Sequence, residues 1–175
     1  GFESITGQIN AELVKPLTDP KLFVNLYGSI NGRLELNTHL NSRLNSNWST
    51  GFYIHADTRN QTFDKNKDSF LDMPLGKQIN VMNKWQYTNL EKGLVTLINF
   101  RFLDDQKQTG QIDYNPSIHK FGSTVWGSEV DTKRFDFSGK FGYVNPEILY
   151  QSLGVQLAYS QHEQAAYFGN RIYDI

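Results

Sequence analysis

The 175-residue chain contains no cysteine, which excludes a disulfide framework and any thiolate chemistry. It has no apolar run approaching the length of a transmembrane helix and no signal-peptide pattern. No helical periodicity and no low-complexity tract stand out. Seventeen Lys and Arg against 18 Asp and Glu leave a net charge of −1, so there is no basic footprint for nucleic acid. Ser–His–Asp order, paired-carboxylate spacing and a phosphate-binding loop are all missing, and no catalysis is expected. The four histidines, His39, His55, His119 and His162, have no short spacing among them and do not read as a metal site.

What the chain does have is alternation. From Lys133 to Ser160, Phe135, Phe137, Gly139, Phe141 and Tyr143 share one phase, with Asp136, Ser138, Lys140 and Gly142 on the other. After Asn145-Pro146-Glu147 the pattern resumes with Leu153, Val155, Leu157 and Tyr159. Side chains of a strand point to opposite faces with a period of two, so this reads as a hairpin with one apolar and one wet face. The same design recurs at residues 7–14, 22–27, 33–44, 48–56, 79–87 and 94–102. Pro16 and Thr18-Asp19-Pro20 break the chain as a linker would. The 12 Phe, 9 Tyr and 3 Trp sit among polar residues, and mean hydropathy is −0.52. The expected fold is all-β, an antiparallel meander.

Connections alternate in length: short at 45–47, 90–93 and 145–148, long at 58–77, 104–132 and after Ser160, with 28–32 a short exception on the long side. Short turns on one rim and long loops on the other describe an outer-membrane barrel. A soluble meander also alternates faces. No Asp, Glu, Lys or Arg falls on the apolar phase of the seven strands after the linker, taking the first strand of the hairpin from Phe135. Trp48, Trp85, Tyr87 and Tyr143 gather beside the short turns on that phase, as an interfacial aromatic girdle does. This favours a transmembrane barrel wall.

Gly7-Gln-Ile-Asn-Ala-Glu-Leu-Val-Lys-Pro16 resembles the junction that ends the plug domain of TonB-dependent outer-membrane receptors. Gly32-Arg-Leu-Glu-Leu-Asn37, Trp48-Ser-Thr-Gly51 and Asp72-Met-Pro-Leu-Gly-Lys-Gln78 resemble the early barrel of Bacteroidota-type members. The resemblance implies residues 1–16 as the end of a plug, 17–21 as linker, and 22–175 as the first seven or so strands of a larger barrel. A chain that starts at Gly1 without methionine is expected to be cut from a longer protein, and this segment alone is not expected to transport. The implied role is active uptake of a scarce nutrient across the bacterial outer membrane: a ferric chelate, haem, cobalamin or oligosaccharide. Implied partners are the rest of its own plug and barrel, outer-membrane lipid, the small-molecule solute, and a TonB-type energy-coupling protein acting through other regions. Glu35, Asn37, His39, Arg43, Tyr53, His55, Lys84 and Asp136 on the polar phase are then expected to face the lumen and plug. The competing reading is a soluble or small membrane β-barrel that binds a ligand, like a lipocalin carrier.

One loop invites a cation. Asp64, Asn66, Asp68 and Asp72 occupy positions 1, 3, 5 and 9 of a calcium loop, with the Phe70 carbonyl at position 7. Ser69 replaces the turn glycine and Leu75 replaces the bidentate Glu, so this is no EF-hand. Structural calcium of modest affinity is the expectation, set against a solvated acidic loop whose Asp and Asn favour turns.

Overall fold

The structure is a computed structural model that describes residues 15–121, 124–148 and 150–175. The plug-like strand expected at Gly7–Val14 lies outside the described residues. The rest is one open sheet of eight antiparallel strands in chain order. They are β1 (Leu22–Gly28), β2 (Arg33–Arg43), β3 (Trp48–Arg59), β4 (Leu75–Asn89), β5 (Leu94–Gly110), β6 (Gly127–Val144), β7 (Ser152–Phe168) and β8 (Arg171–Asp174). A four-residue helix α1 (Pro116–His119) sits between β5 and β6. It is all-β, as expected, but β1 and β8 do not pair, so no barrel closes.

The three short turns share one device. Asn45 Oδ1 accepts the amides of Asn47 and Trp48, at 2.9 Å each. Asn145 Oδ1 likewise accepts from Glu147 and Ile148, at 2.9 and 3.2 Å. Asn89 Oδ1 accepts from Lys92 at 3.0 Å, and Gly93 supplies the positive φ of 64° that closes this turn. An Asn side chain that mimics a backbone carbonyl fixes the turn without extra residues.

At the opposite rim the strands run further than the alternation indicates. The segment expected as one loop from Asp104 to Thr132 holds the end of β5 and the start of β6, paired from Asp104↔Lys133 to Gly110↔Gly127. β7 continues past Ser160 to Phe168, then turns tightly at Gly169 (φ 62°) into β8, where a long connection was expected. Among these extensions, Lys77, Asp104, Glu129, Asp131, Lys133 and Glu163 fall on the apolar phase. The expected absence of charge on that phase therefore holds only toward the short turns.

Two faces, no interior core. Among the described residues the buried apolar side chains are Tyr114, Ala166 and Tyr167 near the long-loop rim, and Pro16 beside the linker. The apolar phase lies open: Leu26 is 75% and Leu157 65% exposed.

Candidate functional site

The register places the polar-phase residues in cross-strand rows. Glu35, Asn37 and His55 form one cluster on β2 and β3. Asn37 Nδ2 donates to Glu35 Oε1 at 2.8 Å, and Asn37 Oδ1 lies 2.6 Å from His55 Nδ1. His55 Nε2 is 3.2 Å from Asp57 Oδ2, and Arg33 pairs with Glu35 at 2.9 Å. Glu35 thus has donors from both Asn37 and Arg33, as half-buried charge requires.

A second cluster anchors the chain where it arrives at the sheet. His39 stacks on Phe23 (5.4 Å between ring centroids) and its Nε2 hydrogen-bonds the Pro20 carbonyl at 3.2 Å. Asn41, almost fully buried, donates to the same carbonyl at 2.9 Å, while its Oδ1 takes the Tyr53 hydroxyl at 2.8 Å. Lys84 lies 5.8 Å from the Tyr53 ring centre. Pro16 is buried, and Lys15 and Pro16 line a cavity of about 780 Å³ together with Lys84, Arg101, Arg134, Asp136 and Lys140. The linker thus lies over the polar-phase face. In that cavity Asp136 accepts from Arg134 at 2.9 Å and from Ser160 Oγ at 2.6 Å, with Arg101 at 3.9 Å.

Arg43 stands apart from the other sequence candidates. It donates to the carbonyls of Asn45 and Ser46 at 3.1 Å each and serves its own turn.

The acidic loop is tied to itself. Asp64 accepts the Asp68 and Ser69 amides at 3.0 and 2.9 Å, Asp68 accepts the Phe70 amide at 2.8 Å, and Asp72 accepts the Lys65 amide at 2.7 Å. Asn66 donates to Asp68 at 2.8 Å. Lys67 and Ser69 take positive φ (62° and 69°), Ser69 standing where a calcium loop has glycine. Among the described residues no group of three or more His, Cys, Asp and Glu is arranged to hold a metal ion.

A third cluster has no counterpart in the sequence reading. Beyond the apolar band, on the same face, Tyr114 donates to Glu129 at 3.3 Å and Lys120 pairs with Glu129 at 2.8 Å. The Phe121 amide donates to the Tyr167 hydroxyl at 2.6 Å, and Lys120 lies 5.4 Å from the Tyr167 ring centre. Burial, reinforced by the Glu129 carboxylate, pushes the Tyr114 phenol well above its usual range. The hydrogen bond to Glu129 raises Lys120 as well. Asn115-Pro116 was the available signal: an N-cap followed by proline at the first helical position, with Asn115 Oδ1 accepting from Ser117 at 2.9 Å.

The edge of the apolar band is oblique to the cross-strand rows. Toward the long-loop rim, its last members are Leu34 on β2, Ala56 on β3, Ile79 on β4, Phe102 on β5, Phe135 on β6 and Tyr159 on β7. Ala56 and Ile79 share a row with Asp104, Lys133 and Glu163. From Leu34 to Tyr159 the edge steps back three times by two residues. Six residues at about 3.3 Å against five strand spacings at about 4.8 Å give a slope of roughly 40°.

No family model, curated protein or solved structure matches the chain.

Proposed function

We propose that this chain is wall of a transmembrane β-barrel in the bacterial outer membrane, in a receptor of the TonB-dependent kind that takes up a scarce nutrient. The observation that carries the reading is the oblique edge of the apolar band. Strands of outer-membrane barrels tilt by about 35–45°, so a flat bilayer surface cuts across their rows at that slope. The edge here runs at about the same angle, and charges begin on the same face just past it.

Polar groups inside the band support the reading. In hydrocarbon every polar group needs an internal partner. Thr38 and Thr50 donate to the Phe23 and Lys84 carbonyls at 2.8 and 3.0 Å. Asn83 donates to the Gly51 carbonyl at 3.0 Å and accepts the Trp85 indole N–H at 2.5 Å. Trp48 packs against Trp85 and Tyr87 beside the short turns, with centroids 6.4 and 5.1 Å apart, forming the girdle of the other interface. The face with the linker on it then looks into the lumen, where a plug belongs, and further strands complete the wall. In this role the chain binds and guides solute and performs no chemistry.

The test is a pair of neighbours in the full-length protein. Leu157→Arg is expected to block assembly in lipid, and Gln156→Arg to leave it intact. Equal tolerance of both changes would reverse or abolish the assignment of faces.

A further inference from the structure

The two ends of the apolar band are built differently. Toward the short turns, Trp48, Trp85 and Tyr87 meet on the apolar-phase face, and the strands carry no charge there. Toward the long-loop rim the band ends in lysine. On β4, Lys77 stands two residues past Ile79, the last apolar member of that strand, and on β6 Lys133 stands two residues past Phe135. Asp104 holds the same place on β5, past Phe102, with Thr58 on β3 and Gln161 on β7. Followed along the oblique edge, this first tier carries two cations and one anion. Asp131 and Glu163 belong to the tier beyond it.

Both lysines are exposed, and neither ammonium has a hydrogen bond or ion pair among the described residues. Lys133 is directly opposite both Asp104 and Glu163, yet those carboxylates take amides from their own strands. Gln106 donates to Asp104 at 3.5 Å and Gln161 to Glu163 at 2.8 Å. Lys120, farther out on the same face, is by contrast tied to Glu129 at 2.8 Å. The linker lies over the other face of the sheet.

Two residues at about 3.3 Å each, on a strand tilted by about 40°, put the first tier about 5 Å outside the hydrocarbon. A headgroup layer is about 5–7 Å thick, so both ammonium groups stand at the level of the lipid phosphates. Asp131 and Glu163, about 10 Å out, clear that level. A lysine stem covers apolar surface while its ammonium stays in the polar layer, where it attracts negatively charged lipid.

We propose that Lys77 and Lys133 bind the phosphate groups of anionic membrane lipid, which makes the long-loop boundary of the wall a lipid-selective surface. The inference rests on the barrel reading above and adds to it the class of lipid that this boundary prefers.

The experiment uses the full-length protein reconstituted in phosphatidylcholine vesicles, with spin-labelled phosphatidate as probe and spin-labelled phosphatidylcholine as reference. Electron spin resonance separates lipid slowed at the protein surface from free lipid and gives the association of each probe. Phosphatidate is expected to associate more strongly than phosphatidylcholine, and less so as salt rises. Each lysine is expected to favour phosphatidate about fivefold at its own place in the lipid shell. The ratio averaged over the shell therefore falls in Lys77→Gln and in Lys133→Gln, and falls furthest in the double variant. Lys107→Gln, on the opposite face of β5, is expected to leave it unchanged. An unchanged ratio in the double variant, or an equal drop in Lys107→Gln, overturns the inference, while slowed phosphatidylcholine shows the wall still in lipid. If neither probe is slowed, the barrel reading fails and the lipid assignment with it.

Discussion

Asp104 and Ile79 stand directly opposite each other across β4 and β5, on the same face of the sheet, with Lys133 next in the row. In a soluble protein such a row would mix core with surface. In a bilayer cut by tilted strands, the two residues lie at different depths, Ile79 in hydrocarbon and Asp104 at the headgroups. Depth, not register, then decides which residue type each position accepts.

Arginine placed along β5 is expected to report this directly. Phe100→Arg, inside the band, should cost about 2–4 kcal/mol of folding stability in lipid, and Asp104→Arg about 0–1 kcal/mol. Reversible unfolding of the full-length protein in phospholipid vesicles measures both. The two sites are on one face and one strand, and equal costs at both would contradict a boundary between them.

The rim cluster gives a pH dependence. The folded protein holds the protons of Tyr114 and Lys120 more tightly than the unfolded chain does, since both values are raised. Their contribution is complete below the ordinary tyrosine value of 10.0 and is lost as pH climbs through the raised values. Hydrogen exchange across residues 111–121 is therefore expected to accelerate above about pH 10 while the amides of β3 and β4 stay protected. Tyr114→Phe removes the bond to Glu129 and is expected to loosen the segment at neutral pH by about 0.5–1.5 kcal/mol.

The acidic loop makes a separate prediction. Asp64 holds two amides, so Asp64→Ala should expose the loop between β3 and β4 to protease and exchange. Asn66→Ala removes one bond to the Asp68 carboxylate and a long one of 3.4 Å from the Asp68 amide, which Asp64 also accepts, and is expected to do much less. Calorimetry of the full-length protein with millimolar calcium, with and without Asp68→Ala, tests the cation expectation on the same loop.

Much of the sheet was legible from residues alone. Strict alternation in Leu34–Leu44, Trp48–Ala56 and Phe135–Tyr143 assigned the two phases, and the paired registers keep them. Strand ends at the long-loop rim were not legible, because the phase that marks a strand loses its apolar signature where it leaves the band. Ser128 to Thr132 and Gln161 to Glu163 look like loop for that reason, although their backbones pair without interruption. In the acidic loop, carboxylates of Asp64, Asp68 and Asp72 accept the loop's own amides, which spacing alone does not reveal. The Tyr114–Glu129–Tyr167 cluster joins residues far apart in sequence, and no local pattern announces it. Arg43 shares the polar phase with His39 and Tyr53 yet bends to its turn, a choice of rotamer that period-two reasoning does not reach.

The central claim is that a tilted bilayer boundary runs across the rows, and depth measurement tests it most directly. With no native cysteine, single Cys substitutions at Leu34, Ile79, Asp104 and Tyr159 can carry a nitroxide in the full-length protein in lipid. Accessibility to oxygen against a water-soluble nickel chelate then ranks their depths. The account predicts matching depths for Leu34 and Tyr159, which are out of register, and a clearly shallower Asp104 than its direct partner Ile79. Equal depth for Ile79 and Asp104, or water exposure at all four sites, would contradict it.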